Sequence, residues 1–150
     1  MRLNPSDRTL QKAANTCQKL LADKKVLVCS KNKLTLTALV LCTPILQSLV
    51  GGATTEDEAL EIAEECKPDL LITSEDLEKG YGIRLVETIK KRTPDLKALI
   101  FLQRETPEVV QEAMEASADG VMFTSSIGTG NGDFIQALTT TSSGGIYYPK

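Results

Sequence analysis

The chain has 150 residues, of which 41% are hydrophobic and 25% charged, and this size and composition predict one globular domain that buries its own core. Its 17 basic and 20 acidic residues leave a net charge of −3, which gives no long-range attraction to nucleic acid phosphates. The chain has no histidine, which excludes hydrolase triads with a histidine base.

The cysteines and the apolar stretches argue against metal, disulfide and membrane chemistry. The four cysteines have no C-x-x-C spacing and no histidine to complete a zinc site, so we interpret them as reduced thiols, with a redox pair as the alternative. The longest apolar stretch, residues 34–50, is too polar for a membrane span, and the amino terminus MRLNPSDRTLQ lacks the apolar centre of a secretory signal. We expect a cytoplasmic protein with no membrane partner and no cofactor.

In chain order, an amphipathic helix comes first, and short apolar runs then alternate with helical patterns. The first helix is predicted for residues 6–22, with Ser6 as its cap. The predicted strands cover residues 26–29, 48–53, 70–72, 98–102 and 120–123. The predicted helices that follow them cover residues 33–42, 55–66, 106–116 and 133–140, and one further helix before Pro94 bears Ile83, Leu85, Val86 and Ile89. Thr55 with Glu58 forms a capping box, and Thr106 followed by Pro107 is a strong helix start.

Alternating strands and helices with short connections predict a parallel sheet covered on both faces, because each parallel crossover needs a helix-length connection. Five such units indicate an α/β, flavodoxin-like, doubly wound five-stranded sheet of order 2-1-3-4-5 with an extra helix at the amino terminus. In that order the carboxyl ends of strands one and three meet. We therefore expect Ser30, Lys31 and Ser74 to lie together at this edge.

Several segments carry a resemblance to a known family. They are VLVCSKN, ATTEDEALEIAEECKPDLLITSED, YGIRLVETIKKRTPDLKALIFL, EAMEASADGVMFTSS and SSGGIYYP. In order and spacing they are similar to the CheY-like receiver domain of two-component response regulators, and most of all to receivers of the NarL/LuxR type. The likeness covers residues 26–149, which suggests a helical extension at 1–24 and a receiver-like domain at 25–150.

The resemblance also implies where the family's phosphoryl chemistry would lie. The acidic pair that holds Mg²⁺ falls on Ser30 and Lys31, and the phosphorylated aspartate falls on Ser74. The switch hydroxyl falls on Leu102 and the phosphate-binding lysine on Thr124. All five positions of this phospho-acceptor pocket are changed, so we interpret the chain as a degenerate pseudo-receiver with no catalytic residue and no metal site.

Other readings of the same region remain open. Glu75 or Asp76 could replace the lost aspartate, but alternation along the strand points Glu75 away from Ser74, which favours solvated loop acids. Ser74 could instead accept a phosphate from a serine kinase, although its buried strand argues against access. The glycine-rich loop 128–133 is interpreted as an irregular start of the last helix, with nucleotide binding as the alternative.

The resemblance implies a protein-protein function through the face built from helix four, strand five and helix five. The candidate interaction residues are Val109, Val110, Glu112, Ala113, Asp119, Phe134 and Gln136. We expect a protein partner or a homodimer through this face, with the first helix as a second contact. DNA would be reached only through a helix-turn-helix effector following Lys150.

Three classes of function follow. A phosphorylation-independent regulatory domain is favoured, and a sensor or stand-alone adaptor that uses the vacated crevice for a small ligand is the alternative. An enzyme is disfavoured because no catalytic group is found.

Overall fold

A computed structural model describes residues 12, 15, 16, 19–41, 46–126 and 133–149. The strands are β1 (Val26–Cys29), β2 (Leu49–Ala53), β3 (Leu70–Ser74), β4 (Lys97–Leu102) and β5 (Gly120–Phe123). The helices are α1 (Lys33–Leu41), α2 (Glu56–Cys66), α3 (Gly82–Arg92), α4 (Pro107–Glu115) and α5 (Asp133–Ser142). Among the described helices, none combines the length and the apolar character needed to cross a bilayer.

The strands form one parallel sheet of order β2-β1-β3-β4-β5, which confirms the predicted fold class. Leu71 of β3 lies opposite Leu27 of β1 and opposite Ala98 of β4, so β3 is paired on both sides. A parallel strand that is covered on both faces is typically a continuous apolar run, as β1 is.

Two apolar cores lie on the two faces of the sheet. One core packs α2, α3 and α4 against the strands and includes Leu71, Leu85 and Ile100. The other packs α1 and α5 against the opposite face and includes Ile72 and Leu138. Neighbouring residues of one strand therefore contribute to different cores, as the alternation of side chains in a strand requires.

The predicted first helix is described only in part. Residues 12, 15, 16 and 19–21 are helical, and the rest of the predicted span lies outside the described residues, as do Cys42 and most of the glycine-rich loop. Leu21 is fully buried in the core beside α1 and α5, and the Ser48 hydroxyl donates a hydrogen bond to its carbonyl. The end of this segment therefore packs against the sheet domain.

Some element boundaries differ from the prediction. β3 continues two residues past its predicted end, because Thr73 and Ser74 pair with Ile100 and Phe101 of β4. α5 continues to Ser142 instead of ending at residue 140. Backbone hydrogen bonding determines where these elements end, and a polar side chain does not prevent its residue from forming those hydrogen bonds.

The last described residues return to the edge strand. The Tyr147 amide donates to the Asp119 carbonyl over 3.0 Å, and the Val121 amide donates to the Tyr147 carbonyl over 2.7 Å. Tyr147 forms a parallel bridge with Gly120, and the Tyr148 hydroxyl donates to the Ala118 carbonyl. A turn at Gly144, with φ of 90°, reverses the chain to make this possible.

Gly82, at the start of α3, is a position where a larger residue should not fit. A Cβ atom there would overlap the Ser74 carbonyl oxygen and lie 3.0 Å from the Glu75 carbonyl oxygen. We expect Gly82→Ala to lower the free energy of unfolding by about 2–3 kcal/mol, because backbone must shift to make room. Urea unfolding followed by circular dichroism measures the loss.

Gly144→Ala is the control for this prediction. Its φ of 90° strains an alanine, but nothing lies within 4 Å of the added Cβ atom. The expected loss is about 1 kcal/mol from backbone strain alone. Equal losses in the two variants would contradict the close approach at Gly82.

Candidate functional site

The carboxyl ends of the strands form one edge of the sheet, where the predicted pocket residues lie. Ser30 follows β1, Ser74 ends β3, Leu102 ends β4 and Thr124 follows β5. Thr73 lies opposite Cys29, and Leu102 lies opposite Phe123, so the strands end at a common level. Ser30 is buried, and Lys31 beside it is exposed.

Three hydroxyl groups at this edge donate hydrogen bonds within the domain. The Ser74 hydroxyl donates to the Asp76 carbonyl over 2.7 Å, and the Thr73 hydroxyl donates to the Ser74 carbonyl over 3.1 Å. The Thr124 hydroxyl donates to the Leu102 carbonyl over 3.2 Å, which ties the end of β5 to the end of β4.

Leu102 does not line the edge as the predicted pocket required. Its side chain is fully buried and belongs to the core beneath α2, α3 and α4. The reason is strand alternation, which places it on the same face as Ile100. Leu102 therefore contributes only its backbone carbonyl to this region.

The side chains of Ser30, Lys31 and Ser74 do not fit Mg²⁺. Mg²⁺ prefers carboxylate oxygens and water, whereas Ser30 and Ser74 offer neutral hydroxyls and Lys31 offers an ammonium group. Within the described parts of the chain, no group of three or more acidic or cysteine side chains converges to hold a metal ion.

Glu75 corrects the expectation of a solvated loop acid. Its side chain is only 2% exposed, directly after β3. It accepts hydrogen bonds from the Gln103 amide over 2.9 Å and from the Arg104 amide over 3.1 Å. The Arg104 guanidinium completes the set with an ion pair through Nε. Glu75 therefore points toward the loop between β4 and α4.

Arg104 extends this cluster to two helices. Its Nη2 donates to the Tyr81 hydroxyl over 2.6 Å, and its guanidinium carbon lies 6.0 Å from the centre of the Tyr81 ring. The Tyr81 hydroxyl donates in turn to Glu112 of α4 over 3.4 Å. The hydrogen bond and charge of Glu75 raise the pKa of Arg104 above its ordinary value. Glu75, Tyr81, Arg104 and Glu112 are named the Glu75 cluster below.

The sequence held a partial signal for this cluster. An acid directly after a buried strand and an arginine two residues past the end of the next strand in the sheet lie at similar heights when the strands are parallel. The pairing of Ser74 with Phe101 brings Glu75 close to residues 103 and 104. Sequence reasoning considered Glu75 only as a substitute for the aspartate and did not search for its partner.

The predicted interaction face is smaller than expected. Val109, Ala113 and Phe134 are at least 94% buried and pack in the two cores, so these three cannot contact a partner there. Their burial follows from the amphipathic pattern of α4 and α5, which turns these positions inward. Val110 is half-buried, and Glu112 and Gln136 are exposed.

Asp119, another predicted contact residue, is engaged inside the domain. It pairs with Lys90 over 3.0 Å and accepts a hydrogen bond from the Ala98 amide over 2.9 Å. Lys90 also donates to the Leu96 carbonyl over 2.7 Å. Both side chains of the pair are largely buried, so Asp119 holds β4 and α3 together.

The fold agrees with one family. The response regulator receiver domain matches residues 26–124, about two thirds of the chain. The chain therefore belongs to the receiver domain family of response regulators. Such a domain serves signalling in two-component regulators and is not an enzyme.

A curated relative is similar to this chain at low identity. The methanol utilization control regulatory protein MoxX of Paracoccus denitrificans is 26% identical over 100 residues, which are 65% of this chain and 44% of MoxX. The chain thus spans less than half the length of that curated relative.

Solved structures show the same fold. A LuxR-family two-component response regulator from Aurantimonas sp. SI85-9A1 has a TM-score of 0.74 and 19% identity, covering 83% of this chain and 89% of its own. A structure of two RcsB dimers bound to two parallel DNAs has a TM-score of 0.73 and 18% identity, and the match covers 85% of this chain and 64% of the RcsB chain.

The tyrosines provide a pH test of this structure. The chain has three tyrosines, Tyr81, Tyr147 and Tyr148, and no tryptophan. Burial is the main cause that raises the pKa of each above the ordinary value of about 10. At pH 10 the folded chain should have fewer than half of its tyrosines ionised, as measured by tyrosinate absorbance with circular dichroism to verify folding.

The sign of the stability effect follows. Because the unfolded chain ionises first, at its lower pKa of about 10, the free energy of unfolding should fall as pH rises above that value. Tyr81→Phe is the control. It should remove one third of the absorbance change, and the remaining two thirds should still occur above pH 10. Half-ionisation of the folded chain below pH 10 would contradict the burial.

Proposed function

We propose that this receiver domain acts as a pseudo-receiver that signals by protein contact and independently of phosphorylation. The chemistry of the edge carries the proposal. The five positions assigned by family resemblance hold Ser30, Lys31, Ser74, Leu102 and Thr124. They supply no carboxylate nucleophile, no metal ligand set and no lysine for a phosphate.

Electrostatics at the edge support the same conclusion. A carboxylate can accept a phosphoryl group and hold Mg²⁺, whereas a neutral hydroxyl without a base does neither well. Lys31 adds a positive charge where the divalent ion would bind. Two unit charges about 4 Å apart interact by about 4 kcal/mol at intermediate dielectric, and here the interaction is repulsive.

The hydrogen bonds of the edge weigh against the alternative of a small-ligand sensor. Ser74 and Thr124 already donate to backbone carbonyls of the same region. A ligand would have to replace these bonds or bind without them. A ligand-sensing or adaptor role for this crevice therefore remains the second candidate, and a rise in melting temperature on ligand addition would support it.

The proposed contact surface is the exposed part of α4 and α5. Val110 and Glu112 on α4 and Gln136 on α5 are accessible, and we propose that they contact a second copy or a protein partner. RcsB forms dimers on DNA, which supports the proposal by analogy of fold.

The proposal includes a role in transcription. MoxX is a control regulatory protein, and we propose that this chain, with a division near residue 24 between extension and receiver, acts through a helix-turn-helix effector that would follow Lys150. A cytoplasmic location belongs to the same proposal, because a regulator of transcription must reach DNA.

Incubation with acetyl phosphate and Mg²⁺ tests the phosphoryl chemistry. We expect the intact mass of the chain to stay unchanged, because Ser74 offers no carboxylate nucleophile and Ser30 and Lys31 offer no acid pair for the metal. Mass spectrometry of the whole chain makes the measurement. A receiver that keeps its acidic residues, treated in parallel, verifies the reagents, and a gain of one phosphoryl group on this chain would refute the pseudo-receiver.

Self-association tests the proposed surface. Gln136→Arg should weaken a homodimer about tenfold, because an unpaired cation at a contact costs roughly 1.4 kcal/mol or more. Sedimentation equilibrium measures the dissociation constant. Glu87→Gln on α3 changes the net charge by the same amount outside this surface and should have no effect. Identical dimerisation of all three proteins would exclude α5 from the interface.

A further inference from the structure

Within the Glu75 cluster, the buried carboxylate of Glu75 is hydrogen-bonded to the loop that precedes the proposed contact surface. Glu75 accepts from two successive backbone amides, Gln103 and Arg104, and from the Arg104 side chain. A charge that is 98% buried is costly unless it is paired and hydrogen-bonded, and its partners among the described residues lie in one short segment. The carboxylate therefore strongly favours one position of this segment.

The segment sets the start of α4. Residues 103–106 connect β4 to α4, and the Thr106 hydroxyl caps the helix by accepting from the Val109 amide over 3.3 Å. Pro107 stands at the first helical position, where its fixed φ is compatible with the helix. Only two residues separate Arg104 from the first residue of α4, so a fixed Arg104 leaves little freedom to the helix start.

A second connection reaches the middle of α4. Arg104 donates to the Tyr81 hydroxyl, and Tyr81 donates to Glu112, one of the exposed residues of the proposed surface. Tyr81 is the residue before α3, so this connection reaches α4 from a different segment than the loop at residues 103–106. The cluster thus contacts α4 both before its first turn and at Glu112 in its second half.

We infer that Glu75 is a positioning residue that holds the loop between β4 and α4, and with it the proposed contact surface, in one arrangement without a phosphoryl group. This inference rests on the proposed function and deepens it: it identifies what replaces a covalent signal in ordering α4. The anchor is an acid that follows Ser74, the position that the resemblance assigns to the phospho-acceptor, by one residue.

Amide hydrogen exchange measured by NMR on the whole chain tests the inference. Glu75→Gln keeps the shape of the side chain, but it removes the charge and replaces one acceptor oxygen with a donor. We expect the amides of Gln103 and Arg104 and the first turn of α4 to exchange about tenfold faster or more, because hydrogen bonds to a charged group are the stronger ones. Exchange in β1 should stay unchanged.

Glu56→Gln is the matched control. Glu56 also pairs with an arginine, Arg84 at 2.8 Å, and it accepts from the Tyr81 amide over 3.4 Å. Arg84 lies on α3 and Tyr81 directly precedes it, so neither partner lies in the loop before α4. We expect Glu56→Gln to leave exchange at Gln103 and Arg104 within about twofold of the parent chain. Equal effects of the two variants would overturn the inference.

Arg104→Met supplies a second variant, because this side chain is 56% exposed and its loss should not prevent folding. It should accelerate exchange in the first turn of α4, and the double variant with Glu75→Gln should match Glu75→Gln alone within about twofold, since both act through one cluster. Independent, multiplying effects would overturn the inference. Phosphate uptake is a separate readout, so a positive mass shift would remove the proposed function and leave the exchange result standing.

Discussion

The double pairing of β3, with β1 on one side and β4 on the other, is the constraint on which the other features depend. Its residues Leu71 and Ile72 are fully buried in opposite cores, so the strand cannot shift by one residue without reversing both. This register decides where the chain leaves the sheet. It therefore sets both the hydroxyl-lined edge at Ser74 and the direction in which Glu75 extends.

Much of the fold was predictable from local patterns. The apolar run of β1 and the Thr106-Pro107 helix start are strong signals, and the alternation of strands and helices leads to the strand order through the handedness of parallel crossovers. The end of β3 was missed because Thr73 and Ser74 have polar side chains. Their pairing with β4 uses the backbone, which side-chain patterns do not report.

The sheet edge was predictable in location, but its side-chain interactions were not. Strand ends predicted that Ser30 and Ser74 share an edge, whereas the donors to Glu75 come from residues 28 and 29 positions later in the chain. Such contacts exist only after the sheet has formed. The inward positions Val109 and Ala113 were named as contacts from family resemblance, although helical periodicity already placed them on the same side as the core.

The return of Tyr147 to β5 has a consequence for how other molecules can approach. An outer strand normally offers unpaired amides and carbonyls, to which a foreign peptide can add itself as a further strand. Here the Asp119 carbonyl and the Val121 amide are already taken by the same chain. A peptide that added a strand at this point would first have to displace the segment around Tyr147. Recognition at this edge of the sheet therefore depends on side chains.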